Sequence, residues 1–254
     1  MPISIVGDTM NRFFITSDQF NNERPLITGT DVKHAARVLR LGPGDSVVLL
    51  DGTGRAAVAV IEQIGKDHIT CRKVNDFNPG GEPPIDVFLV QGLAKGEKME
   101  YIIQKCTELG VSGIIPLVSR RSVVRLEGER IASRQSRWQR VALEASKQCR
   151  RSRIPEVFTP REMEDVLRNI PPGALSILPW EGERSTSLKD ALPGTNPGKI
   201  YIFVGPEGGF EDSEVEEAQS SGVAVVSLGP RILRTETAGP ACLAIIMHKW
   251  GDLG

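Results

Sequence analysis

Residues 75–84 run Asn-Asp-Phe-Asn-Pro-Gly-Gly-Glu-Pro-Pro, with three prolines, two glycines and almost no apolar content. Proline removes a backbone donor and glycine loosens the chain, so such a stretch breaks helix and strand alike. The hydrophobic pattern changes across it, which divides the chain into residues 1–75, a linker at 76–84 and residues 85–254. Upstream, residues 12–15, 46–50, 55–61 and 68–73 read as short strands between turns. Only residues 31–41 read as helix, with Val32, Ala35, Ala36 and Leu39 at helical spacing. A small β-barrel with one helix fits that pattern.

Downstream, strand-like runs at 85–90, 113–118, 176–178, 199–204 and 223–228 alternate with helical patterns at 97–109, 131–149, 160–170, 213–221 and 241–250. Alternation of this kind predicts an α/β domain built on a mostly parallel sheet. Met99, Ile102, Ile103, Cys106 and Leu109 share one helical face, and Gly110 is placed to cap that helix. Thr159-Pro-Arg-Glu162 has the spacing of a capping box, which Ser213 and Glu216 repeat.

Of the 254 residues, 40% are apolar and 25% charged, and the longest apolar run, residues 241–247, is seven long. A membrane span needs about 20. No apolar segment of secretory type follows the first basic residue, Arg12, so a cytoplasmic protein is expected. Cys71, Cys106, Cys149 and Cys242 are widely spaced, as are His34, His68 and His248. This spacing predicts no short-range metal site and no disulfide framework; buried apolar packing is the expected role of the cysteines. The net charge of −1 conceals an asymmetry: residues 119–153 hold eleven Lys or Arg against three Glu, and residues 205–218 hold six acids and no base. The first segment suits phosphate and the second does not.

Parallel sheets bind ligands beyond the carboxyl ends of their strands. Residues 52–57, Gly-Thr-Gly-Arg-Ala-Ala, match a dinucleotide fingerprint after a strand, but a β-branched run follows in place of a helix, and Asp51-Gly52 signals a hairpin. More informative are Pro179-Trp-Glu181, Gly205-Pro-Glu-Gly-Gly-Phe210 and the segment Gly229-Pro-Arg-Ile-Leu-Arg-Thr-Glu-Thr-Ala238, each beyond a predicted strand. A phosphate cradle wants a base beside its glycines, whereas the second loop carries Glu207 and leads to Asp212. A cationic or neutral adenosyl ligand suits it better, and S-adenosylmethionine bears a sulfonium and no phosphate.

Residues 204–210 and 228–238 together resemble the paired signature of the ribosomal small-subunit methyltransferase E family of the SPOUT superfamily. The resemblance extends to Asn11-Arg-Phe-Phe14, to residues 34–41, 95–110 and 148–156, and covers nearly the whole chain from Met10. Residues 1–9 fall outside it and read as a start-site extension, and Lys147 and Arg150 stand where many relatives are expected to have Glu and Gly.

The resemblance implies a PUA-like β-barrel RNA-binding domain followed by a SPOUT-type α/β domain with a C-terminal trefoil knot. It also implies S-adenosylmethionine as cofactor, a homodimer, no metal, and methylation of a uridine N3 in 16S rRNA, free or in the 30S subunit. Arg234 is the implied stabiliser of charge on the uracil carbonyls, and Glu236 the implied base or, equally, a helix-entry cap. Leu178, Gly205, Glu207, Gly208, Leu228, Gly229, Ile232, Leu233, Thr235, Thr237 and Ala238 are the implied cofactor residues. Arg12, Arg37, Arg40, Lys95, Lys98, Arg120, Arg121 and Arg151 are the candidate RNA contacts. The rival readings are an RNA-binding module without catalysis and a nucleotide-dependent enzyme built on Gly52.

Overall fold

The computed structural model describes residues 10–122 and 128–254; the expected extension at 1–9 and Arg125 of the basic segment lie outside them. Two compact units result. One runs to Glu82 and takes in Ser146–Ile154, and the other consists of Pro83–Ala145 and Pro155–Gly254. Residues 146–154 thus join the first unit, where the sequence division had assigned them to the second. The reason is local: Glu82 bonds Arg151 and Ser152, and the backbone of Arg153 bridges to Gly52 and Thr53.

The first unit contains β1 (Arg12–Phe14), α1 (Ser17–Phe20), β2 (Leu26–Thr28), α2 (Thr30–Lys33), β3 (Ser46–Leu50), β4 (Ala56–Ile64) and β5 (His68–Phe77). They form a nearly closed sheet in the order β1-β3-β4-β5-β2, with β1 and β3 parallel and the other neighbours antiparallel. Phe13, Ile27, Val47, Leu49, Ile61 and Ile69 fill its interior. Strand β2, at three residues, is too short to show an alternating pattern. Strand β5 continues into the predicted linker because β4 supplies ladder partners as far as Phe77. The predicted helix at 31–41 is shorter: α2 passes into a π-helical turn, His34–Val38, and ends before Arg40, whose φ is +54°. Residues 52–57 form the β3–β4 hairpin. Gly52 and Gly54 take φ of +78° and +106°, and the Asp51 carboxylate accepts the N–H groups of Thr53 and Arg55.

The second unit contains β6 (Asp86–Gly92), α3 (Lys98–Glu108), β7 (Gly113–Val118), α4 (Glu129–Gln148), β8 (Glu156–Val157), β9 (Arg161–Glu162), α5 (Met163–Arg168), β10 (Leu175–Pro179), α6 (Leu188–Ala191), β11 (Lys199–Val204), α7 (Asp212–Ser220), β12 (Ala224–Val226) and α8 (Thr235–Trp250); the last residues of α4 belong to the first unit. The sheet order is β12-β10-β11-β6-β7-β8, with β9 also on β7, and every pairing is parallel. Parallel strands are covered on both faces, which explains the unbroken apolar runs of β7 and β11.

Three helix starts differ from the sequence reading. Arg161 and Glu162 pair with β7, so α5 begins only at Met163 and the predicted capping box at Thr159 does not form. The box at α7 uses Glu211 and Glu214, two residues earlier than Ser213 and Glu216, because Glu211 has the extended backbone of an N-cap. Helix α8 begins at Thr235, so the end of the predicted loop is its first turn.

Helix α4 closes with Arg151 N–H on Ser146 O at 3.0 Å, and Arg150 takes φ +63°. This is the left-handed position of a Schellman motif, where glycine avoids the Cβ clash. Arg150→Gly is therefore expected to stabilise the protein by up to about 1 kcal/mol after allowance for the looser unfolded chain. Urea unfolding of the two proteins checks it; a lower midpoint for the glycine variant would show that the arginine side chain outweighs its backbone cost.

Candidate active site

The loops beyond β10, β11 and β12 converge at the carboxyl edge of the parallel sheet. They line two adjoining cavities of about 620 and 340 Å³ that share Pro179, Trp180, Glu181, Ile232, Leu233 and Ala238. The larger lies between residues 179–187 and 227–233, and the smaller reaches from Lys98 to the loop at 204–210 and the first turn of α8.

Backbone proximity shapes the smaller cavity. A Cβ on Gly205 would lie 2.9 Å from the Gly209 carbonyl carbon, and one on Gly92 would lie 2.5 Å from Pro206 N. The loop can sit this close to β6 only because neither residue has a side chain. Gln91 Nε2 donates to Thr235 Oγ1 at 2.9 Å, and that hydroxyl donates to Gly205 O at 2.7 Å. This relay ties the first turn of α8 to the loop after β11. Glycine 209 carries the loop's positive φ, +68°, whereas Gly208 has an ordinary φ and packs against Arg121. Gly208, an implied cofactor residue, lines neither cavity, whereas Gly209 lines the smaller one.

The cavity lining balances four carboxylates, Glu181, Glu183, Glu207 and Glu236, against four cations, Lys98, Arg184, Arg231 and Arg234. Burial works against the Glu207 charge, but its own N–H, the Lys95 N–H and the Lys98 side chain outweigh it and hold the carboxyl below its usual range. Lys98 Nζ stands 3.2 Å from Glu207 Oε1 and 3.4 Å from Glu236 Oε2, and its hydrogen bond to Glu207 raises its pKa. The Ser185 hydroxyl, with the N–H groups of Thr186 and Ser185, pulls the Glu183 carboxyl down to about 2. Glu207 and Glu183 are thus anionic at neutral pH. Among the described residues no cluster of three or more His, Cys, Asp or Glu could hold a metal. Burial raises the thiol pKa values of Cys71, Cys106 and Cys242, which favours the unreactive thiol form.

Gly205, Glu207, Leu228, Gly229, Ile232, Leu233, Thr235 and Ala238 all line the cavities. Leu178 does not; its side chain is in the core, behind Pro179. Thr237 is exposed on α8. Arg234 and Glu236 sit together at the start of α8, Nη1 to Oε1 4.0 Å, with Arg234 as N-cap residue. Glu236 is therefore in the first turn, not at the cap.

Of the RNA candidates, Arg37 and Arg40 are exposed in the first unit, where Arg12 Nη1 donates to Arg150 O at 3.0 Å. Lys95, Arg120 and Arg121 are exposed in the second, and Arg121 Nη1 donates to Gly208 O at 3.0 Å. Arg151 is corrected. It is 6% exposed, with Nη2 2.8 Å and Nε 3.2 Å from Glu82 Oε2, so its guanidinium is committed to a buried pair. Lys98 faces the smaller cavity rather than a basic surface. The sequence reading missed Gln91, a polar residue inside an apolar strand, which was the available signal, and gave no role to Trp180 or Arg231.

Fold and site together define a class. Residues 81–247 match the RNA methyltransferase domain family and residues 27–74 the RNA methyltransferase PUA domain family. The chain is 34% identical to ribosomal RNA small subunit methyltransferase E of Bacillus subtilis over 94% of its length and 97% of the relative's. It is also 34% identical to the protein of that name in Mycobacterium bovis, covering 89% of this chain and 87% of that one. A crystal structure of ribosomal RNA small subunit methyltransferase E from Neisseria gonorrhoeae bound to S-adenosyl methionine superposes with a TM-score of 0.85. It is 32% identical and covers 96% of this chain and 100% of that chain. The chain belongs to the ribosomal RNA small subunit methyltransferase E family.

Proposed function

We propose that this protein transfers a methyl group from S-adenosylmethionine to N3 of a uridine in 16S rRNA, as free RNA or in the 30S subunit. The observation that carries the reading is the glycine-built double cavity at the strand ends, in a chain of the ribosomal RNA small subunit methyltransferase E family. The cavity charges balance, and the glycine loop at 204–210 carries Glu207 with no base of its own, which suits a sulfonium better than a phosphate. In this reading backbone groups around Leu228 and Leu233, which line the larger cavity, bind the adenine edge, and Thr235 holds the loop after β11. Bound S-adenosylmethionine supplies an electrophilic methyl on a sulfonium. Arg234, at the mouth, stabilises charge developing on the uracil carbonyls, and Glu236 takes the N3 proton.

The fold accords with a SPOUT domain whose C-terminal segment is threaded as a trefoil knot. In support, α8 leaves the sheet edge at β12 yet packs on α3 and against β6 and β11, with Thr235 bonded to Gly205. The first unit serves as a PUA-like barrel that binds RNA. A homodimer is supported by Tyr101 on α3 and Ile245 on α8, which expose apolar surface on two helices packed together. Light scattering in solution reads the mass directly. A cytoplasmic location follows from an rRNA substrate, and no helix among the described residues is long and apolar enough to cross a membrane.

Calorimetry with S-adenosylmethionine separates this enzyme from a non-catalytic RNA-binding module, since the latter would give no heat. The same titration with Gly209→Val tests the pocket. A β-branched residue at φ +68° strains the loop by about 1–2 kcal/mol, so affinity should fall about tenfold while the circular dichroism stays unchanged. Normal affinity in the folded variant would remove this loop from the binding site.

A further inference from the structure

The two cavities divide the charges of the cleft between them. Lys98 and Arg234 line only the smaller, and Arg184 and Arg231 only the larger. The residues common to both include one aromatic ring, Trp180, one carboxylate, Glu181, and no base. Trp180 is half-buried and Glu181 exposed, so both offer surface to a ligand. The ring is backed by Gly182. A Cβ there would lie 2.5 Å from Trp180 Cη2 and 2.6 Å from both Cζ2 and Cζ3, nearly equal distances that put it over the ring face. Glycine has no such atom, so the backbone can support the indole this closely. A Cβ on Gly209 would lie 3.0 Å from Glu181 Oε1, which places that carboxylate against the loop after β11.

In the proposed reaction the adenine lies by Leu228 in the larger cavity, and the accepting base lies by Arg234 in the smaller. The sulfonium joins the two and so falls at the junction, where Trp180 and Glu181 stand. Resting on that reading of the cleft, we infer that Trp180 and Glu181 recognise the sulfonium charge and thereby separate S-adenosylmethionine from S-adenosylhomocysteine. An aromatic face attracts a cation through its quadrupole, and tryptophan does so best among the side chains. Glu181 adds ionic attraction, which its exposure reduces. S-adenosylhomocysteine carries a neutral thioether at the same place and gains neither. Methyl transfer removes the charge, so both contacts weaken as product forms and favour exchange for fresh cofactor. They hold the charged ground state more tightly than a transition state in which that charge is dispersing, so they serve selection and not acceleration.

The test is calorimetry on the full chain with S-adenosylmethionine and with S-adenosylhomocysteine, read as the ratio of the two affinities. The wild type should favour the sulfonium about tenfold, the scale of one cation–π contact with one exposed carboxylate. Trp180→Leu and Glu181→Gln should each bring the ratio to about threefold, and the double variant should bind the two ligands about equally. Trp180→Phe should keep part of the preference, since its ring is the weaker cation partner. Gly182→Ala should lower the ratio as well, because the added methyl displaces the indole. A residue that served packing alone would weaken both ligands together and leave the ratio unmoved. A wild-type ratio at or below one, or an unchanged ratio in Trp180→Leu or in Glu181→Gln, overturns the proposal. Glu181→Gln, on an exposed side chain, decides it even if Trp180→Leu does not fold. The premise is read from the same titrations: if neither ligand binds, the methyltransferase reading falls and this inference with it, whereas equal binding of both refutes only the role of the junction.

Discussion

Arg234→Ala is expected to lower single-turnover methyl transfer about 100-fold to 1,000-fold at saturating cofactor and RNA, the usual loss for one preorganised donor at a developing oxyanion. The guanidinium is 83% exposed at the cavity mouth, and Arg234 caps α8 through its backbone with no side-chain bond. Its removal should therefore leave the fold within about 0.5 kcal/mol of wild type. Most cofactor affinity should also persist, since Arg234 lines only the smaller cavity and only at its mouth. Turnover near normal would exclude Arg234 from the chemistry, and a large drop in melting temperature would make it a structural residue instead.

Arg151→Ala should act the opposite way, on stability and not on RNA. Its guanidinium is buried against Glu82, whose other oxygen accepts the N–H groups of Ser152 and Arg153 at 2.8 and 2.9 Å. Deleting one partner of a buried pair strands the other charge, which typically costs about 3–5 kcal/mol; the remaining N–H donors place this case near about 3 kcal/mol. Denaturant unfolding measures that loss. The slope of log affinity against log salt for RNA should stay unchanged in this variant, whereas Arg121→Ala, on an exposed side chain, should lower it by about one unit. Normal stability with a shallower slope for Arg151→Ala would put that arginine back on the RNA.

The two arginines show where one-dimensional reading stops. Arg121 and Arg151 look alike as members of a basic segment, but local charge density is blind to burial. Glu82, 69 positions away in the chain, is what removes Arg151 from the surface. Lys98 was grouped with the basic surface for the same reason, although Glu207 and Glu236 turn it into the cavity. Gly208 and Gly209 could not be told apart because the sign of φ depends on how the loop packs against Arg121 and Glu181. Helix α5 lost its predicted start because a neighbouring strand offered Arg161 and Glu162 ladder bonds, which outweigh a local cap.

What the amino-acid order determined alone was whatever depends on near neighbours. The alternation of apolar runs specified the parallel unit, the Asp51-Gly52 turn specified a hairpin over a nucleotide loop, and the glycines of residues 205–211 specified a tight turn beyond the strand before them. Only the tertiary structure decided which charges are spent on one another and which remain for a ligand. The Gln91–Thr235–Gly205 relay joins residues up to 144 positions apart, and Lys98 stands between Glu207 and Glu236 only because α3, the loop after β11 and α8 meet there. Hydrogen-bond balance and desolvation are properties of the packed cavity, and chain spacing carries no record of them.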